Sequence, residues 1–135
     1  MLQEGDIIEI PLPNGKTALG WLLYTSSVFK NVVGLVIFGL VGESRRAAYE
    51  AAGALDVLGP LYTNSAALQP YGCRVVGHQA VTPDRKLLTK RLVGGGVYVG
   101  DDYIGSPKET GDPDLHEMKV MGMPVLLERI RQAFG

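Results

Sequence analysis

The chain has 135 residues, the usual size of one domain, and a formal net charge of −1. With 46% hydrophobic and 20% charged residues it can build a packed core, which excludes wholesale disorder. The lack of a basic excess argues against a nucleic-acid binder, and a lone cysteine, Cys73, fits a reducing cytoplasm because it has no internal disulfide partner.

The N-terminal stretch carries Glu4, Asp6 and Glu9 and does not read as a signal peptide. The longest apolar run, Val32 to Gly42, is too short to span a bilayer. No membrane partner is expected. In "IIEIPLP", Ile8, Ile10 and Leu12 alternate with Ile7, Glu9 and Pro11, the period of a half-buried strand. Pro11 has no N–H for a ladder, which points to an edge position or a bulge. "PNGK" then reads as a tight turn. Either Asn14-Gly15 takes positive φ at the turn centre, or Pro13 opens a type I turn with Gly15 left-handed after it. Lys16 to Thr25 is the antiparallel partner. "NVVGLVIFGLV", apolar on both faces, reads as a central strand.

"ESRRAAYEAAG" changes the pattern. Its residues favour helix, Ser44 suits the N-cap and Gly53 the C-cap, so a short helix is expected over Ser44 to Ala52. After Pro60 strands resume. "LYTNSAAL" and "CRVVGHQAV" flank a turn at "QPYG", and "TPDR" reads as a further turn. "GGGVYVGDDYIG" is a glycine-punctuated strand or loop, and Ser106 to Glu117 an irregular polar segment. The chain ends in an amphipathic helix, "PVLLERIRQAFG", with Pro124 in the first turn and Leu126, Leu127, Ile130 and Phe134 as its apolar stripe. No repeat or linker divides the chain, so residues 1–135 are read as a single domain. The fold class is mainly β (α+β): a twisted antiparallel sheet or partial barrel with a short mid-chain helix and a C-terminal helix.

Catalytic and cofactor signatures are weak. His78 and His116 have no Cys/His partners at zinc-site spacing, and no metal is expected. Cys73 opens a strand, so no helix N-terminus lowers its pKa, and a buried packing role fits it better than a nucleophile. "GGGVYVG" lacks the lysine and hydroxyl residue of a phosphate loop and is followed by Asp101-Asp102, so no nucleotide cofactor is expected. The dense carboxylates Asp101, Asp102, Asp112, Asp114 and Glu117 lie on glycine- and proline-rich segments. They read either as a solvated loop face or as an acidic patch for a basic partner, with Tyr103 as an aromatic anchor.

The opening "GDIIEIPLPNGKTALGWLLY" resembles the start of the immunity protein 26 family of bacterial polymorphic toxin systems. The matching features are Gly5-Asp6, Ile10-Pro11-Leu12, Asn14-Gly15 and Gly20-Trp21. Pro60 to Val81 is similar to the family's later strand pair, with Gly77 kept and Cys73 standing where the family often has tryptophan. The likeness covers about half of the chain and rests on hairpin residues, and the family brings no catalytic residues to transfer. It implies a mostly β, cytoplasmic, non-enzymatic protein that binds a cognate toxin domain stoichiometrically and neutralises it. Asp101, Asp102, Tyr103, Asp112, Asp114 and Glu117 are the expected partner-binding residues, on the reasoning that nuclease-like toxin grooves are basic. Two other readings stay open: a generic small β-barrel protein- or peptide-binding module, and a small hydrolase or metal-dependent enzyme.

Overall fold

Alternating apolar residues and one turn set the first register. In the computed structural model, which describes residues 2–29, 31–40, 58–112 and 114–134, strand β1 (Asp6–Pro11) pairs antiparallel with β2 (Thr17–Thr25), Ile8 opposite Gly20 and Ile10 opposite Ala18. Gly15 N–H donates to Leu12 O at 3.1 Å, Lys16 N–H to the Asn14 side chain at 3.0 Å, and Gly15 takes φ +82°. Asn14 stays at negative φ, so the turn is the version that opens at Pro13 and needs a left-handed residue only at Gly15. Pro11 lies beyond the reach of β1's other neighbour, where no ladder donor is missed.

β3 (Val32–Leu40) follows and pairs with β2 on one side and β4 (Leu58–Asn64) on the other. This interior position explains its unbroken apolar run: Val32 to Ile37 are buried. β5 (Arg74–His78) adds to the free side of β1, and the two-residue strand β9 (Val120–Met121) runs parallel to β4. The resulting order is β5-β1-β2-β3-β4-β9. The sheet is antiparallel from β5 to β4, mixed at its last edge, and does not close into a barrel among the described residues. The helix expected over Ser44 to Ala52 lies outside those residues.

Both faces of the sheet are covered. On one, Ile8, Ile10, Leu22, Leu35, Ile37 and Leu61 pack against the C-terminal helix α4 (Met123–Phe134), which buries Met123, Leu126, Leu127 and Ile130. On the other, Ile7, Leu19, Trp21, Leu23 and Val36 form a second cluster with Phe38, Val76 and Val81. The Trp21 indole N–H donates to Gln79 O at 2.9 Å, fixing the loop after β5 over this face. No helix among the described residues is long and apolar enough to cross a membrane.

Several segments differ from their sequence reading. "LYTNSAAL" leaves the sheet at Asn64, whose side chain accepts from Ala66 N–H at 2.9 Å and starts the one-turn helix α1 (Ser65–Leu68). β5 therefore pairs with β1 rather than β4. "TPDR" is a helical turn, α2 (Pro83–Lys86), N-capped by Thr82 and followed by a 3-10 turn over Leu87–Thr89. The glycine-punctuated stretch forms a small sheet of β6 (Arg91–Val93), β7 (Gly96–Val99) and β8 (Asp102–Gly105), with Gly94 and Gly95 left-handed at the first turn. The polar segment contains α3 (Pro107–Thr110), capped by Ser106 and ended by Gly111 at φ +74°. Residues 116–118 then run beside β6, with Leu92 N–H donating to His116 O at 3.0 Å and Met118 N–H to Leu92 O at 2.7 Å. The same strap continues into β9, so it stitches the small sheet to the large one.

Gly5 locks the N-terminal end of β1. It adopts φ +94°, and a Cβ there would stand 2.7 Å from both Gln79 O and His78 Cε1. The tight approach lets Gln79 N–H donate to Gly5 O at 2.9 Å and His78 Nδ1 meet Asp6 Oδ1 at 3.1 Å. Gly5→Ala combines backbone strain with this clash, so a loss of about 1–3 kcal/mol is expected. Urea unfolding of the variant measures it, and an unchanged midpoint would contradict the assignment.

Candidate functional site

Arg91, at the start of β6, is 3% exposed and sits where the two sheets meet. Its guanidinium carbon lies 5.0 Å from the centroid of the Tyr24 ring, 5.1 Å from Tyr62 and 5.9 Å from Phe29. Nη1 donates to Gly100 O at 2.6 Å and Thr89 O at 3.1 Å, and Nη2 to Tyr24 Oη at 3.3 Å. Carbonyl dipoles and aromatic faces thus replace water around the cation. Burial pushes the Tyr62 phenol up to about 12 despite the nearby guanidinium, so this ring stays neutral.

Tyr24 passes the interaction on. Its hydroxyl donates to Asp101 Oδ1 at 2.9 Å. The same oxygen accepts from Ser26 Oγ at 2.6 Å, while Oδ2 accepts from Ser27 N–H at 2.7 Å and Ser27 Oγ at 3.0 Å. Burial by itself would raise the Asp101 pKa, but the donors from Ser26, Ser27 and Tyr24 outweigh it and hold the carboxyl below its ordinary value. Asp101 is therefore the clamp that fixes the β2–β3 loop to the turn before β8.

The clamp orders a line of aromatic rings. Phe29 meets Tyr98 edge-to-face at 5.3 Å between centroids, and Tyr98 meets Tyr103 at 5.5 Å in the same manner. Gly96 leaves room for this stack, since a Cβ there would stand 2.8 Å from Tyr103 Cε2. At the outer end Tyr103 is 60% exposed, Val28 on the clamped loop is 63% exposed, and Asp102 is exposed between them in sequence.

The six expected partner-binding residues divide into two groups. Asp101, Asp102 and Tyr103 belong to the aromatic face, and of these Asp101 points its oxygens inward. Asp112 forms an ion pair with Lys90 at 2.5 Å, and Glu117 accepts from Gly94 N–H at 2.7 Å. Asp114 and Glu117 line a separate cleft with Lys119 and Arg129. The structure thus gives the six different immediate partners. Tyr24, Phe29, Tyr62, Tyr98 and Arg91 were not singled out from the sequence; the dipeptide Lys90-Arg91 next to a glycine run was the only local signal.

Other reactive groups have structural partners. His78 is held by Asp6, and Arg74 pairs with buried Glu9 at 2.8 Å. Burial pushes the Cys73 thiol up to about 11, which keeps it protonated at neutral pH. Among the described residues no three His, Cys, Asp or Glu side chains are grouped to hold a metal ion. No protein-family model matches the chain, and no curated protein or solved structure matches it.

Asp101→Ala removes every bond of the clamp, so a loss of about 2–3 kcal/mol at neutral pH is expected. Because folding depresses the Asp101 pKa, its contribution is complete above the ordinary carboxylate range and disappears as pH falls through the folded-state pKa. Unfolding measured across pH should show the gap between parent and variant closing in acid. A gap independent of pH would contradict the clamp.

Proposed function

We propose that the chain is a cytoplasmic immunity protein that neutralises a cognate toxin domain of a bacterial polymorphic toxin system by stoichiometric binding. The observation that carries this reading is the pre-ordered aromatic face of Val28, Phe29, Tyr98 and Tyr103, with Asp102 at its edge. A rigid, exposed tyrosine backed by stacked rings supplies contact area at low entropic cost, the property that makes such residues dominate interfaces. Asp102 adds charge complementarity toward a basic substrate groove and speeds encounter. The sequence likeness to the immunity protein 26 family supports the same reading. Neutralisation is then steric: the face covers the toxin's groove, and no bond is made or broken.

An alternative is a peptide-binding module. β8 is the outer strand of the small sheet and exposes Tyr103 and Ile104, which suits strand addition by an extended segment.

Co-expression with a toxin domain encoded by a neighbouring gene should restore growth and yield a one-to-one complex, and a neighbourhood without such a gene would count against the reading. Tyr103→Ala combined with Asp102→Asn should weaken that complex about tenfold or more, with the spectrum of the folded protein unchanged. Continued killing at equal expression, or an affinity insensitive to both substitutions, would overturn the reading.

A further inference from the structure

A cleft of about 720 Å³ opens between β4, β6 and the strap. Its volume is that of a small-ligand site. Leu58, Leu88 and Leu115 supply apolar wall, while Lys119 and Arg129 are exposed at its lining and hold no ion pair among the described residues. Four cationic side chains line it against the carboxylates of Asp114 and Glu117. Lys90 is already held by Asp112, and the remaining cations, Arg91, Lys119 and Arg129, outnumber the two carboxylates by one.

Arg91 points to what this charge is for. A guanidinium has five N–H donors. Nη1 is satisfied by two carbonyls, but Nε is buried with no acceptor among the described residues, and Nη2 turns to Tyr24 Oη and to Met118 Sδ at 3.5 Å. Thioether sulfur is a weak acceptor. Nε and Nη2 share the edge by which arginine grips two oxygens of an oxyanion. Met118, which meets Nη2, and Tyr62, whose ring faces the guanidinium, both line the cleft. Methionine is unbranched and flexible, so its side chain can swing aside.

We propose that this cleft binds a small phosphate monoester with an apolar or aromatic body. Lys119 and Arg129 take the phosphate at the rim, Met118 yields, and the Nε–Nη2 edge of Arg91 holds two of its oxygens. The body lies against Leu58, Leu88 and Leu115. A dianion with three acceptor oxygens matches several separate cations better than a carboxylate does. The site is independent of the toxin-binding reading, since none of its rim residues belongs to the aromatic face.

The test is titration of the isotope-labelled full chain with phenyl phosphate, inorganic phosphate and benzoate, followed by NMR and calorimetry. Phenyl phosphate should bind saturably, shift amides around Tyr62 and residues 115–119, and move the Arg91 Nε–Hε resonance. Inorganic phosphate should bind more weakly because it lacks the body, and benzoate more weakly because it lacks the second charge. Lys119→Gln with Arg129→Gln should reduce phenyl phosphate affinity about tenfold or more while leaving the spectrum of the free protein intact. The proposal fails if shifts do not saturate, if benzoate binds as well, or if the double variant binds unchanged. An Arg91 Nε–Hε signal that stays fixed while the amides move would remove Arg91 from the site.

Discussion

One buried cation governs how the two sheets meet. Taking a guanidinium out of water costs several kcal/mol even after relaxation, unless other groups replace the lost solvation. Around Arg91 no carboxylate among the described residues makes direct contact. The replacement comes from the carbonyls of Thr89 and Gly100, the Tyr24 hydroxyl and three ring faces. Each ring contributes about 0.5–2 kcal/mol when desolvated. These groups come from β2, the β2–β3 loop, β4 and the turns around β6 and β7, so the charge is stable only if all of those parts are in place together. Arg91 thereby converts a loose contact between sheets into a specific one.

The negative counterpart stands two hydrogen bonds away. Asp101 reaches Arg91 through Tyr24, and its remaining acceptor capacity is filled by Ser26 and Ser27. The same Asp101 that looked like a surface anion is the reason the loop bearing Val28 and Phe29 has one geometry. The aromatic face is consequently a by-product of the electrostatic solution at the sheet junction. Gly96 completes it by keeping the space that Tyr103 occupies.

Local patterning made the large sheet readable and left the junction opaque. The first hairpin was legible because period two, Asn14-Gly15 and a flanking proline all point to one register. The terminal helix was legible because its apolar residues recur at helical spacing. Two helical turns were misread although their signals are present: Thr82-Pro83 and Ser106-Pro107, the latter with Glu109 at the capping-box position, place a cap and a proline at a helix start. Proline beside polar residues was weighted toward turns instead. β9 was unreadable because its two residues pair with β4 through tertiary context alone. The candidate site was hidden for the same reason. Tyr24 and Arg91 stand 67 residues apart, and nothing near either one marks the other. Asp101, Asp102 and Tyr103 were found by composition, yet their division into an internal clamp and an outward face depends on Ser26 and Ser27, which composition does not connect to them.

The guanidinium also joins two surfaces that have no residue in common at their rims. On one side it lies under Phe29, the inner ring of the aromatic stack; on the other it flanks Tyr62 and Met118 at the cleft. A guanidinium has five N–H donors. Two go to the Thr89 and Gly100 carbonyls and one to the Tyr24 hydroxyl. That leaves Nε–H and the Nη2–H now given to the weak acceptor Met118 Sδ. The donors that hold the sheet junction are therefore not the donors left over on the cleft side, and the junction keeps its bonds whatever the cleft holds.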